Sequence, residues 1–246
     1  MENDKEYQKW LKKVTEDEYN LKYIPFEFRT KELCEIAVTQ NGLNLEFVPK
    51  ALRTKEICEK AVKNRGYALN YVPEELKTEK LCLAAVKKEA YSLQFVPKEI
   101  MTMEMCEAAV TQDGYASMLK FVPEHLNTEE LCKYAMENQE FYQIILSYVP
   151  IELRTKEMCE LAMQLNPRNS FRFVPDELKT EEFCLEGVTG TIENLYFVPE
   201  NMKTYEICRV ALDNEFHLNK YCLKHVPEEF HKELAEEFGI ELPKTR

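Results

Sequence analysis

Nine cysteines and four histidines are the residues of this 246-residue chain best suited to hold a metal or form a covalent intermediate. Eight of the cysteines (Cys34, Cys58, Cys82, Cys106, Cys132, Cys159, Cys184 and Cys208) recur at intervals of 24 to 27 residues. The ninth opens Cys222-Leu223-Lys224-His225, whose spacing suits metal ligation, and His217 and His231 flank it in sequence. A nucleophilic cysteine needs surroundings that lower its pKa, yet the eight regular ones share one sequence context. Cys208 is an ordinary member of that series, and His225 fills the slot that Phe or Tyr occupies before every other Val-Pro or Ile-Pro. No P-loop, G-x-S-x-G, H-E-x-x-H or G-x-G-x-x-G motif is present. Recurrent glutamates could act as paired carboxylates, but helix-start electrostatics explains them without further assumption. The expectation is a protein without catalytic residues and without a cofactor, with Cys222 and His225 as the weak metal candidates.

The shared context is V-P-x-x-[LIM]-x-T-x-E-[LIMF]-C-x-x-A-[VM], seen best from Val72 to Val86. It recurs from Ile24, Val48, Val96, Val122, Val149, Val174 and Val198, and starts again at Val226. Leu81, Cys82, Ala85 and Val86 fall at i, i+1, i+4 and i+5, which is one face of a helix. The threonine before each run (Thr30, Thr54, Thr78, Thr102, Thr128, Thr155, Thr180, Thr204) reads as an N-cap. Gly42, Gly66 and Gly114 follow the helix where a left-handed C′ residue would stop it. Leu69, Val72 and Leu76 also suit a helical face, but Pro73 divides them into two short turns, the second starting at the proline. Each repeat should hold one α-helix and a short α or 3₁₀ element.

About 24 residues cannot bury such an apolar face alone, so neighbouring copies must stack. The predicted fold is an all-α solenoid, a curved rod of about eight repeats capped at both ends. Residues 1–23 read as an N-terminal capping helix with Trp10 wedged on the first repeat, and residues 24–212 as the array. Residues 213–246 read as a partial repeat and a capping helix, with Phe230, Leu234 and Phe238 on one side and Gly239 ending it. Residues 166–170 and 187–191 replace the usual connection in two later repeats, and the helix there should end early. Equivalent cysteines on stacked helices lie about 8–10 Å apart, beyond disulfide reach, so they read as small buried hydrophobes.

The formal charge is −12 and the sequence pI is about 5.0. That sign argues against direct nucleic-acid binding and suits a basic protein partner. No apolar run reaches the length of a membrane span, and no signal peptide is visible; with unpaired cysteines, this predicts a cytoplasmic location. The connections lengthen at residues 111–118 and 137–145. Repeat insertions often mark a binding edge, which makes Tyr115, Glu137, Glu140, Phe141 and Tyr142 the candidate partner-binding residues.

The phrase from Tyr67-Ala68-Leu69-Asn70-Tyr71 through Val86 is similar to the short helical-hairpin repeats of a bacterial domain-of-unknown-function family. Its period and P-x-x-L corner also resemble leucine-rich variant repeats, a likeness that implies alternating α and 3₁₀ helices in a right-handed superhelix. Neither resemblance brings a catalytic residue. The expected function is stoichiometric contact with another protein of basic surface, in the manner of an immunity protein, an antitoxin-like binder or a viral blocker of a nucleic-acid-processing enzyme. Two alternatives stay open: an adaptor holding peptide segments on its concave face, and a metal-dependent activity at the C-terminal Cys/His cluster.

Overall fold

The computed structural model describes residues 2–17, 21–112, 116–137, 145–215 and 220–242. Every regular element among them is helical. The chain forms two compact units, Met1–Asn138 and Gln139–Arg246.

The first unit holds α1 (Glu2–Asp17), α2 (Lys31–Gln40), α3 (Lys55–Asn64), α4 (Glu79–Lys88), α5 (Met103–Val110) and α6 (Glu129–Glu137). From α2 onward, the threonine before each helix accepts a hydrogen bond from the N–H three residues on, as at Thr54 with Ile57 and Thr128 with Leu131. This satisfies a donor that the first turn leaves orphaned. Each helix buries the same four positions, in α4 Leu81, Cys82, Ala85 and Val86. Two 3₁₀ segments then follow, the two short turns that the proline divides, for example Gly66–Tyr71 and Glu74–Leu76. The break between them is the Val-Pro corner: a residue before proline is held extended, and Val72 has φ −72° and ψ 129°.

Gly42 and Gly66 do not stop their helices by a left-handed turn. The residues ending α2, α3 and α4 are extended, and among the described residues only Gly239 is a glycine with positive φ. Glycine is needed for proximity: a Cβ on Gly42 would lie 2.2 Å from the Ala61 carbonyl oxygen, and one on Gly66 2.3 Å from that of Ala85. Adjacent repeats thus touch backbone to side-chain-free backbone. Polar side chains seal the same seam. Asn64 accepts from the Gly42 N–H at 2.8 Å and donates to Thr39 O and Gln40 O; Gln112 treats Ala90 N–H and Val86 O alike. Gly114, the third glycine assigned as a stop, lies outside the described residues.

A further device stitches repeat to repeat. The residue before the capping threonine is basic in six repeats, and in five of them it reaches the carbonyl of the aromatic residue before the next Val-Pro. Arg29 donates to Phe47 O at 2.9 Å, Arg53 to Tyr71 O at 2.9 Å, and Lys77 to Phe95 O at 3.0 Å. Arg29 and Arg53 also donate through Nε to the carbonyls of Ile24 and Val48 in their own repeats. Met101 and Asn127 hold this position in the next two repeats. Met101 is buried, and the Asn127 side chain accepts from the Cys132 thiol at 3.1 Å. α1 packs on α2, where Tyr7 donates to Glu32 at 3.0 Å and the Gln40 amide donates to Thr15 O. Trp10 in α1 is half-buried with Lys9 and Lys13 over its ring.

The second unit holds α7 (Lys156–Leu165), α8 (Pro167–Ser170), α9 (Glu181–Gly190), α10 (Tyr205–Asp213) and α11 (Glu228–Phe238). Threonine caps open α7, α9 and α10. Arg154 and Lys179 donate to Phe173 O and Phe197 O, both at 2.7 Å, while Lys203 pairs with Glu200 at 2.5 Å. α7 and α9 do not end early: both run the ten residues of α2. Pro167 takes the first position of α8, where its missing N–H costs nothing, and Asn166 caps that turn, so the proline starts a new turn without shortening α7. α8 makes room for Phe171, fully buried at the slot leucine fills elsewhere, and Gly187 of α9 faces its ring. α11 closes on α10 through a Tyr205 hydroxyl that donates to Glu237 at 2.6 Å and a Tyr205–Phe230 edge contact. Leu234 is buried, and Gly239 at φ 66° ends the helix as its sequence position predicts.

Candidate protein-binding surface

The eight repeat cysteines have no solvent exposure. Burial pushes the thiols of Cys34, Cys58, Cys82, Cys106, Cys132, Cys159 and Cys208 up to about 11, and that of Cys184 upward. Nucleophilic attack and metal binding both require the thiolate, which this packing disfavours. None of the nine cysteines is in a disulfide.

The C-terminal histidines have different partners. His225 makes an edge contact with the Tyr196 ring at 5.3 Å, so it serves as the aromatic that its slot demands, and burial followed by Lys224 and Lys203 lowers its pKa. His231 meets the Val226 carbonyl at 2.8 Å, and Cys222 is half-buried. Among the described residues no three His, Cys, Asp or Glu side chains gather in a metal-holding group. His217 lies outside them.

Of the candidate partner-binding residues, Glu137 is the exposed last residue of α6. Tyr115, Glu140, Phe141 and Tyr142 lie outside the described residues. Two surfaces with depth lie elsewhere, on the solvent face of the first unit's α-helices. Because Leu, Cys, Ala and Val take the inner face, the positions just after the cap and after the cysteine point outward. Neighbouring helices then bound a furrow at each seam.

Two furrows differ in charge. The one bounded by α5 and α6, with a volume of about 790 Å³, is lined by Glu104, Glu107, Glu130 and Tyr134 over Met103 and Leu131. Lys87 of α4 enters at one end and pairs with Glu104 at 2.6 Å. Glu107 and Glu130 make no ion pair among the described residues, and Tyr134 is 44% exposed. The furrow bounded by α3 and α4, about 600 Å³, is lined by Lys55, Lys63, Lys80, Lys87 and Lys88 around Val62, Leu81 and Ala84, with Glu59 the one carboxylate. Sequence reasoning overlooked both, because it weighed net charge over the whole chain. The signal was available: Lys55 and Lys63 of α3, like Lys80 and Lys88 of α4, are eight residues apart and therefore share a helix face.

The stretches 10–53 and 54–101 each match the model of a family described as Domain of unknown function (DUF4116). They meet between Arg53 and the cap Thr54, so the second match begins where α3 does. This agrees with the likeness to a domain-of-unknown-function repeat, over well under half of the chain. No curated protein and no solved structure matches the chain. No helix among the described residues is long and apolar enough to cross a membrane.

Proposed function

We propose that the protein works by stoichiometric contact with another protein and performs no catalysis itself. The observation that carries this reading is the α5–α6 furrow. Glu107 and Glu130 make no ion pair there among the described residues, and they stand beside a half-exposed tyrosine and the apolar side chains of Met103 and Leu131. Tyrosine and accessible carboxylates around a greasy centre make a seat for a basic segment, the aromatic supplying the area and the charges the orientation. A chain of formal charge −12 also steers toward positive partners at low salt. The inhibitory form of this reading follows from the same charges: a nucleic-acid-processing enzyme exposes a basic groove, and an acidic occupant would exclude its substrate.

The test mixes the protein with nucleases of basic active-site groove, following activity and co-elution in size-exclusion chromatography. The expected result is loss of activity at one equivalent, reversed by Glu107→Lys/Glu130→Lys. Intact activity without co-elution for every nuclease overturns the inhibitory form. The broader binding reading fails if charge reversal in this furrow leaves the capture of every basic partner unchanged.

A further inference from the structure

We infer that the furrow bounded by α3 and α4 is a separate docking site for an acidic protein segment that carries apolar side chains. The sign of this furrow runs against that of the molecule: five lysines line it against the single carboxylate of Glu59. Lys55 lies 3.9 Å from Glu59 and Lys87 is taken by Glu104 at 2.6 Å. Lys63, Lys80 and Lys88 make no ion pair among the described residues, although other lysines of the same stack do, Lys60 with Glu35 at 2.9 Å and with Glu56 at 3.2 Å. Unneutralised positive charge inside a strongly acidic chain attracts carboxylates from a partner without any help from the rest of the surface.

The floor decides which kind of anion. Val62 and Leu81 close the bottom and Ala84 stands exposed between the lysines. A short apolar side chain can settle there while carboxylates on either side meet Lys63 and Lys88. No arginine and no aromatic side chain lines the furrow, so nothing offers a base a stacking surface or a phosphate a bidentate fork. An acidic peptide with aliphatic residues meets both the rim and the floor; a nucleic acid meets the rim alone. The site is independent of the α5–α6 furrow in sign and, apart from Lys87, in residues.

The experiment uses the full chain and three labelled probes in fluorescence anisotropy at low ionic strength: a peptide of interleaved glutamate and leucine, the matching lysine and leucine peptide, and single-stranded oligothymidylate. The acidic peptide should bind and weaken steeply with salt, since exposed charges are screened over about 10 Å at 0.1 M. Lys63→Glu/Lys80→Glu/Lys88→Glu should cost about tenfold or more in its affinity, each exposed pair contributing a fraction of that, with an unchanged circular dichroism spectrum. Ala84→Asp should weaken the peptide by a route that salt does not mimic. Glu107→Lys/Glu130→Lys should leave it unaffected, which separates this site from the acidic one. The inference is overturned if the acidic peptide does not bind, if the triple variant binds it as wild type does, or if oligothymidylate binds more tightly.

Discussion

An added methyl at Gly187 would come within 2.3 Å of Cδ2 of Phe171. The other repeats have alanine at this helix position and, where a leucine stands at the partner slot, as at Ala61 and Leu45 or Ala85 and Leu69, both are buried. Volume has moved from one side of the contact to the other, so the two residues should be energetically coupled. Gly187→Ala alone is expected to cost about 1–3 kcal/mol through overpacking. Adding Phe171→Leu should recover much of that, and a denaturant double-mutant cycle measures it. The cysteines give a second residue-level expectation. In the fold, seven thiols are raised from an ordinary 9.0 to about 11, so the unfolded chain releases their protons first. Their contribution to stability is therefore complete below pH 9 and is lost as pH rises toward 11. Chemical denaturation at stepped pH should show the midpoint falling across that window. A thiol-specific chromophoric reagent should modify half-buried Cys222 first and the other eight only as the chain unfolds.

At the scale of the element, the helix starts were legible in the sequence because a threonine cap is a local matter, settled within four residues. The apolar stripe of each helix was legible for the same reason, since its period needs no neighbour. What could not be read is whatever two repeats decide together. Gly42 looked like a helix stop, yet its reason is the Ala61 carbonyl in the following repeat. The basic residue before six of the eight caps carried a visible pattern in Arg29, Arg53, Lys77, Arg154, Lys179 and Lys203. Its meaning depends on acceptors 18 or 19 residues away. The furrows suffered likewise, being made of residues from separate helices. Arg53→Met, which copies the residue at 101, removes the bonds to Val48 O, Tyr71 O and Glu46 O. It should lower stability by about 1–3 kcal/mol, since partly buried carbonyls lose their donors. Thr54→Ala should cost about 1 kcal/mol. Thermal denaturation of both variants ranks the stitch against the cap.

At the scale of the molecule, each repeat is completed by its neighbours, so damage should spread along the first unit's stack and fade with distance. Val86 is fully buried; Val86→Asp places a carboxylate where it has no partner, at a cost of about 3 kcal/mol or more. Hydrogen exchange should then show the largest loss of protection in α3, α4 and α5 and the smallest in α1. A uniform loss from α1 to α6 would mean that the stack opens as one body. The same nearest-neighbour wiring bears on copy number. Removing residues 55–78, one full period, would bring Arg53 to the carbonyl of Phe95 in place of Tyr71, and Gly42 to that of Ala85 in place of Ala61. These two contacts would find equivalent acceptors at the new junction, whereas the Gly42 N–H would meet Lys88 in place of Asn64 and lose its acceptor. A chain wired this way can gain or shed a whole module with its backbone stitches kept, and only the polar side chains at the new seam need changing, Lys88→Asn first among them.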